Sequence, residues 1–354
     1  MTKISEDRQF LSPAMFPDRF DSEDHLEDFM STPSRALFDD MNKVEGDILI
    51  LGVAGKMGPT LARLAKRAAP EKRIVGVARF SDATVKQRLE SWGIETHVAD
   101  LLDRDQVQGI PKLPNIVYMA GKKFGTAGME SFTWAMNTYV PALVGEAFPN
   151  SRIVVFSTIL VYPSSSIVRQ GCTENDPPYA APGEYANSCV GRERSFEFFS
   201  IRNKAPMRGF RLCYSQDMRY GVFHEVATKV FNDQPIDLSA GHVNAIWQGD
   251  ANSQALRSLR HCTVPMSPIN IAGAEVTNIH DLAISIGHRM GKEPRFVNTE
   301  VDRICLVNGG LAADLFGYPV VPSERIVTWI ADWVSRGMTS WEKPTHYDTL
   351  DGVY

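Results

Sequence analysis

Apolar residues in this chain recur in short runs that are separated by longer stretches with a helical period. Seven of these runs have the length of strands and are rich in β-branched residues: DILILGV at 47–53, RIVGVAR at 73–79, HVADL at 97–101, NIVYMAG at 115–121, RIVVFST at 152–158, RGFRLCY at 208–214 and SPINIAG at 267–273. Runs that are apolar on both faces are typical of strands buried on both sides. The alternation therefore predicts a doubly wound parallel sheet of the Rossmann type.

A glycine-rich turn follows the first predicted strand and opens the first predicted helix. Gly52, Gly55 and Gly58 give the spacing G-x-x-G-x-x-G. Glycines let the backbone approach a pyrophosphate, and the helix N-terminus offers free N–H groups and the positive end of its dipole. This setting favours a dinucleotide site over a plain tight turn, and the predicted site includes Lys56 and Met57 between the glycines.

The pattern of polar and apolar residues changes along the chain and predicts how the chain divides into domains. The first 45 residues are polar, with amphipathic patterns at Glu23–Met30 and Pro33–Val44, so we expect an N-terminal helical extension over 1–45 that serves packing or dimer contact. The dinucleotide-binding domain is expected over 46–215, with a further strand near 267–273. A smaller, mostly helical substrate-side region follows over 216–336, and a tail over 337–354.

Composition and charge exclude several classes of function. The net charge of the 354 residues is −5, and 44% of them are hydrophobic, as in ordinary globular proteins. No basic stripe suits nucleic acid, and no apolar run approaches the roughly 20 residues of a membrane span. The first ten residues lack the apolar segment typical of a signal peptide, the five cysteines are irregularly spaced, and the histidines show no metal-ligand spacing. We expect a cytoplasmic protein with a small-molecule partner and no metal, nucleic acid or membrane.

The end of the second strand bears on the choice of cofactor. Rossmann proteins that use NAD carry an acidic residue there for the ribose 2′-hydroxyl, whereas this chain has Ala78 and Arg79. A guanidinium suits a 2′-phosphate, so the sequence favours NADP over NAD. In the alternative interpretation, Arg79 is an ordinary surface residue.

Two later segments carry a family resemblance. FSTILVYP at 156–163 is similar to S-[ST]-x-x-V-Y-G, and GEYANSCVGRER at 183–194 is similar to Y-G-x-S-K-x-x-x-E. With the glycine loop, they make roughly residues 47–336 resemble the extended short-chain dehydrogenase/reductase family of epimerases and dehydratases. The resemblance implies an NAD(P)-dependent enzyme with Tyr185 as the acid/base and Thr158 as the residue that orients the substrate oxygen. Glu193 falls on the family's later Glu.

The same resemblance extends the expected cofactor site beyond the glycine loop. It places an acidic residue and its neighbour beside the adenine, a turn after the fourth strand under the cofactor, and a lysine and an asparagine near it. These are Asp100, Leu101, Met119, Ala120, Gly121, Lys123 and Asn137. It also makes Lys123 a candidate catalytic residue.

One position departs from the family pattern. Cys189 stands where the family has the lysine whose charge favours the tyrosine phenolate, four residues after Tyr185. We interpret Cys189 as a small buried residue, and expect Lys122 or Lys123, both predicted to face the cleft, to compensate in part. In the alternative interpretation, the two are solvated loop lysines. Because a free phenol has a pKa of about 10, we expect activity to rise with pH into the alkaline range.

The substrate segments also depart from those of nucleotide-sugar enzymes. Tyr214 and Asn244 stand where relatives carry an Asn and a diphosphate-binding Arg. We therefore predict a smaller carbohydrate-like substrate, which is a sugar, a polyol or a sugar acid, and no binding of UDP-sugars. His224, Arg219 and Trp247 are pocket candidates, with packing as the alternative.

A second class of function stays open at this stage. A degenerate family member could bind dinucleotide without turnover and act as a sensor or scaffold, and Cys189 favours that interpretation. Retention of Thr158, Tyr185 and the glycine loop favours the enzyme. A homodimer is compatible with either.

Overall fold

The computed structural model describes residues 9–349. Its strands are β1 Ile48–Leu51, β2 Ile74–Ala78, β3 Glu95–Val98, β4 Asn115–Tyr118, β5 Arg152–Thr158, β6 Ser165–Ser166, β7 Met207–Leu212, β8 Tyr214–Gln216, β9 Pro235–Asp237, β10 His242–Trp247, β11 Ser267–Ile271, β12 Val276–Asn278, β13 Arg295–Val297 and β14 Arg303–Ile304. The α-helices are α1 Glu23–Met30, α2 Arg35–Met41, α3 Gly58–Ala68, α4 Ala83–Ser91, α5 Arg104–Gly109, α6 Glu130–Trp134, α7 Val140–Ala147, α8 Glu184–Asn203, α9 Val222–Phe231, α10 Gln248–Ser258, α11 Ile279–Met290, α12 Gly310–Phe316 and α13 Ser323–Ser335.

The central sheet confirms the predicted architecture. Within residues 9–349 it has seven strands in the order β3-β2-β1-β4-β5-β7-β11, all parallel. At its centre Ile48 pairs with Ile74 on one side and with Asn115 on the other. Because the strand order reverses between β1 and β4, the carboxyl ends of these two strands form the crevice where ligands bind in such folds.

The third strand differs in its bounds from the prediction. It was expected at 97–101 and lies at Glu95–Val98. The Asp100 carboxylate accepts a hydrogen bond from the backbone N–H of Leu102 at 3.0 Å, which begins the turn toward α5. This local bond takes the last predicted positions out of the strand.

Helices cover both faces of the sheet. On one face α2, α3, α10 and α12 contribute to a core in which Leu61 and Ile50 are fully buried. On the other face α5, α7 and α8 contribute to a core that includes Tyr118 and Phe196. The five inner strands are therefore buried on both sides, as their sequence indicated, whereas the edge strand β3 is partly exposed.

A third core lies beside the sheet and includes helix α1 of the N-terminal extension. Helices α1, α9, α11 and α13 pack with β10 around an aromatic group, in which the rings of Phe20 and Trp329 have centroids 4.9 Å apart. Helix α1 has the predicted bounds. Helix α2 is shorter than predicted because its N-cap is Ser34, whose side chain accepts a hydrogen bond from the Leu37 N–H at 3.2 Å.

Within residues 9–349, no helix is both long enough and apolar enough to cross a membrane.

Candidate active site

The glycine loop has the tight geometry that its sequence predicts. Gly52 has φ +88°, and a Cβ there would lie 2.7 Å from the Ala120 backbone nitrogen. A Cβ on Gly58 would lie 2.0 Å from the Val53 carbonyl oxygen. At Gly55 the nearest atom would be 3.5 Å away, so this glycine leaves space on the open side of the loop. Two of the three glycines therefore serve packing, and the middle one leaves room for a ligand.

Two adjoining cavities lie at the carboxyl ends of the strands. The larger has a volume of about 750 Å³ and is lined by the glycine loop, Thr158 and Tyr185. The smaller has a volume of about 390 Å³ and is lined by the end of β2, including Arg79. Gly52, Gly55, Met119 and Gly121 line both, so the cavities meet at the glycine loop.

Most of the predicted cofactor residues lie in these cavities. The smaller cavity is lined by Gly52, Gly55, Arg79, Asp100, Leu101, Met119, Ala120 and Gly121. The larger cavity is lined by Gly52, Gly55, Lys56, Met57, Gly58, Met119, Gly121, Lys123, Thr158 and Tyr185. The residues fit a dinucleotide because the cleft is open at Gly55 and faces the N-terminus of α3.

Asn137 lies outside both linings. Its Oδ1 accepts hydrogen bonds from the Lys122 N–H at 2.9 Å and from Arg192 Nη2 at 2.6 Å. Its Nδ2 donates to the Lys122 carbonyl and to Ser188 Oγ, both at 2.9 Å. It sits in a π-helical turn, Ala135–Tyr139, between α6 and α7. The amide is fully bonded within the protein, so Asn137 acts on the site by fixing the turn after β4.

Tyr185 and Thr158 meet in the larger cavity. Tyr185 is the second residue of α8, and Thr158 is the last residue of β5. Their side chains are hydrogen-bonded to each other, and Tyr185 is also bonded to Cys189. Burial raises the pKa of Tyr185 well above its usual value, and the neighbouring Cys189 thiol raises it further. Thr158 Oγ1 also accepts a hydrogen bond from the Leu160 N–H at 3.3 Å, which holds it at the strand end.

Arg192 is a functional candidate that the sequence analysis missed. Its Nη1 donates to the Phe156 carbonyl at 2.9 Å, and a Cβ on Gly121 would lie 2.3 Å from its Nη2. The buried guanidinium therefore lies against the turn after β4, and its charge lowers the pKa of Tyr185. Arg192 follows Tyr185 by seven residues, two helical turns along the same face, and that spacing could have identified it.

The two lysines of the β4 turn differ from each other. Lys123 lines the larger cavity, where burial lowers its pKa to about 8. Lys122 lines neither cavity, and its Nζ lies 5.7 Å from the centroid of the Phe132 ring. The expectation that both lysines face the cleft was wrong for Lys122, because Asn137 holds its backbone on both sides and its side chain runs along α6.

The substrate-side candidates separate in a similar way. Tyr214 and Arg219 line the larger cavity, but Arg219 is paired with Asp217 at 2.8 Å and with Glu27 at 2.9 Å. His224 Nε2 lies 3.0 Å from Ser340 Oγ, and Trp247 is fully buried in the aromatic core. His224 and Trp247 are therefore packing residues, the alternative that the sequence left open.

Comparisons with known proteins agree with this architecture. Residues 48–194 match the family model of the NAD dependent epimerase/dehydratase family. No curated protein matches the chain in sequence.

Solved structures with the same fold include enzymes of nucleotide-sugar metabolism. A UDP-glucuronic acid 4-epimerase from Bacillus cereus, solved with NAD, superposes with a TM-score of 0.67 at 18% identity, over 82% of this chain and 99% of that one. A dTDP-glucose 4,6-dehydratase from Bacillus anthracis, also solved with NAD, superposes with a TM-score of 0.69 at 16% identity, over 82% of this chain and 97% of that one. A UDP-glucose 4-epimerase from Thermotoga maritima superposes with a TM-score of 0.68 at 15% identity, over 82% of this chain and 99% of that one.

The strand order, the glycine loop and the Thr158–Tyr185 pair all lie in the part of the chain that the family model covers or in the sheet around it. Residues 48–194 are therefore similar to the NAD dependent epimerase/dehydratase family, and the chain has the fold of the epimerase and dehydratase structures.

Proposed function

We propose that this protein is an NAD(P)-dependent oxidoreductase or epimerase that acts on a hydroxyl or ketone of a small carbohydrate-like substrate. The observation that carries the proposal is the hydrogen-bonded pair of Thr158 and Tyr185 in the cavity that adjoins the glycine loop. A bound nicotinamide would supply hydride acceptance or donation at the substrate carbon. A scaffold would not need a tyrosine and a threonine arranged to handle a proton.

The proton at the substrate oxygen falls to Tyr185. As phenolate it accepts the hydroxyl proton during oxidation, and as phenol it returns the proton during reduction. Thr158 holds the same oxygen by a hydrogen bond. Arg192 and Lys123 supply positive charge near the phenolate in place of the family's lysine, and we place Lys123 in contact with the cofactor.

We further propose that NADP is preferred over NAD. Arg79 is exposed at the end of β2 and lines the smaller cavity with Ser81. The nearby Asp82 is committed to the N-cap of α4, where its carboxylate accepts hydrogen bonds from the Thr84 N–H at 2.9 Å and the Thr84 hydroxyl at 2.6 Å. The 2′ position of a ribose there would meet the Arg79 guanidinium, with the Asp82 carboxylate held at the N-cap of α4 and the Asp100 carboxylate bonded to the Leu102 N–H.

Nucleotide-sugars are excluded as substrates in this proposal. Asn244, in the place of a diphosphate-binding arginine, accepts a hydrogen bond from the Val307 N–H at 3.0 Å and is buried. Arg219 is neutralised by Asp217 and Glu27. Calorimetric titration with UDP and UDP-glucose should show no binding in the micromolar range, and a micromolar dissociation constant, about −8 kcal/mol, would contradict the proposal.

A cytoplasmic location and a homodimer complete the proposal. All five cysteines are free, which suits a reducing compartment. Large apolar side chains are exposed on the π-helical turn and on α8, namely Tyr139, Phe198 and Ile201. Sedimentation velocity should show a dimer, and a monomer at micromolar concentration would contradict this part.

The direct test is a substrate screen on the cofactor-loaded protein. Sugars, polyols and sugar acids are offered in turn while cofactor absorbance reports net redox turnover and proton NMR reports epimerisation or dehydration. We expect turnover of at least one class. Tight cofactor binding without turnover across the panel would favour the sensor or scaffold instead.

A further inference from the structure

A buried amine lies in the larger cavity without a counter-ion. Lys56 Nζ lies 3.2 Å from the centroid of the Tyr220 ring and 4.0 Å from that of the Phe124 ring. It has no hydrogen-bond partner among the residues that the structure describes. Aromatic faces attract a cation but accept its N–H groups only weakly, so the three donors of an ammonium are left without good acceptors.

The charges around Lys56 add to this deficit. Lys123 and Lys343 line the same cavity, and both oppose a charge on Lys56. Burial is the largest cause and, with these two lysines, lowers the pKa of Lys56 to about 6. Asp217 acts in the opposite direction, but its two oxygens are held by Arg219 at 3.0 and 2.8 Å. Of the carboxylates that line the described part of this cavity, Glu23 and Glu27 pair with Arg219 and Asp82 caps α4, so none of them is a hydrogen-bond partner of Lys56.

The position of these amines indicates which ligand they serve. Lys56, Lys123 and Lys343 line the larger cavity, with Thr158 and Tyr185, but not the smaller one at the end of β2. Lys343 comes from the C-terminal segment, which is anchored by a hydrogen bond from the Trp341 N–H to the Arg219 carbonyl at 3.0 Å and by a second from the Thr345 N–H to Glu225 at 2.9 Å. The tail thus adds a cation to the part of the cleft that holds the reacting hydroxyls.

We infer that the substrate carries an anionic group, a carboxylate or a phosphate, that binds the Lys56 ammonium with Lys123 and Lys343 around it. This inference rests on the proposed function and narrows it: among sugars, polyols and sugar acids it selects the charged class. An anion would supply the missing counter-charge and accept hydrogen bonds from the Lys56 ammonium. A neutral polyol would leave the amine uncharged or without a counter-ion.

The ionisation of Lys56 is the direct readout, and it needs no turnover. In protein labelled with carbon-13 at the lysine ε position and saturated with NADP, we expect the Lys56 resonance to titrate near pH 6. D-glucuronate or glucose 6-phosphate should move that titration above neutrality, and the more effective of the two identifies the anion. D-glucose should leave it in place. A Lys56 titration unmoved by both anions, or moved equally by D-glucose, would overturn the inference.

Two controls separate this inference from neighbouring explanations. The Lys56→Met variant assigns the resonance and should lose the anion response, whereas Lys122→Met, on the neighbouring turn but outside the cavity, should keep it. Because Lys56 belongs to the glycine loop, NADP itself is titrated first. A Lys56 pKa already above neutrality with NADP alone would assign its anion to the cofactor and overturn the substrate assignment. Failure of the substrate screen with a positive anion response would instead count against turnover alone.

Discussion

Two neighbouring residues of α8 are both buried, yet they face different surroundings. The Glu193 carboxylate accepts hydrogen bonds from Ser157 Oγ at 2.5 Å and from the Arg211 guanidinium at 3.0 and 2.6 Å. Arg211 in turn bonds the Tyr162 hydroxyl. The Arg192 guanidinium donates only to neutral acceptors, the Phe156 carbonyl and the Asn137 amide, and its Nε has no partner in residues 9–349.

This difference in hydrogen-bond partners distinguishes a charge that stabilises the fold from a charge that can act in the active site. Glu193 and Arg211 neutralise each other and, with Ser157, link α8, β5 and β7. Their charges are therefore not available to bind a ligand. Arg192 keeps its charge beside the turn after β4, where it lowers the pKa of Tyr185, and Lys56 can take up a proton when an anion binds. Unpaired buried charge is costly to a folded protein and is concentrated at functional sites.

Removing the buried ion pair between Glu193 and Arg211 should have the largest effect on stability. Glu193→Gln leaves the Arg211 charge buried without its carboxylate, so we expect the free energy of unfolding to fall by about 3–5 kcal/mol. Urea denaturation measures this loss. The matched control is Glu197→Gln on the same helix, which loses only a partly exposed pair with Arg194 and should cost about 0–1 kcal/mol. Equal losses in the two variants would contradict the structural role of the buried pair.

An exposed arginine tests whether a cation without a carboxylate partner serves the cofactor. Arg79→Ala should weaken NADP binding by about 1.5–3 kcal/mol, roughly 10- to 100-fold, and leave NAD binding nearly unchanged. Fluorescence titration of both cofactors at one ionic strength measures the ratio. Arg104→Ala, which removes an exposed arginine paired with Glu146 at 2.7 Å, is the control and should change neither affinity. An unchanged NADP to NAD ratio in Arg79→Ala would contradict the proposed preference.

Adding and removing charge near Tyr185 should shift the pH dependence in opposite directions. Activity should rise with pH as the phenolate fraction grows, because burial and the Cys189 thiol raise the pKa of Tyr185. Cys189→Lys adds an ammonium one helical turn away and should move the alkaline limb down by about one pH unit. Arg192→Met should move it up, and Arg192→Lys should restore it in part. A limb that stays in place in folded Cys189→Lys protein would show that charge at this position does not set the ionisation.

Sequence reasoning succeeded where a local pattern carries the information. Six of the seven sheet strands fall on predicted apolar runs, and the glycine loop has its own spacing, so these were predicted, whereas β3 lies earlier in the chain than its predicted run. It was less successful where side-chain direction decides. Lys122 and Lys123 are adjacent, but only Lys123 lines the cavity. Arg192 falls at a position that the family pattern leaves unspecified, so the motif did not indicate it.

The C-terminal segment was also invisible to the sequence analysis as part of the site. Lys343 carries no motif, and its place in the cavity follows from the contact of Trp341 with the Arg219 backbone, more than 100 residues earlier in the chain. Contacts of this kind depend on tertiary packing and have no local signature.

The measurement that tests the central claim most directly is the turnover rate of Tyr185→Phe on any substrate found, at saturating cofactor. The variant lacks only the hydroxyl that handles the proton, so we expect turnover to fall by about 10²- to 10⁴-fold while cofactor affinity stays within about twofold. Tyr179→Phe, at an exposed position away from the cavity, should retain full activity. Full activity in Tyr185→Phe would contradict the role of Tyr185 as the acid/base of this site.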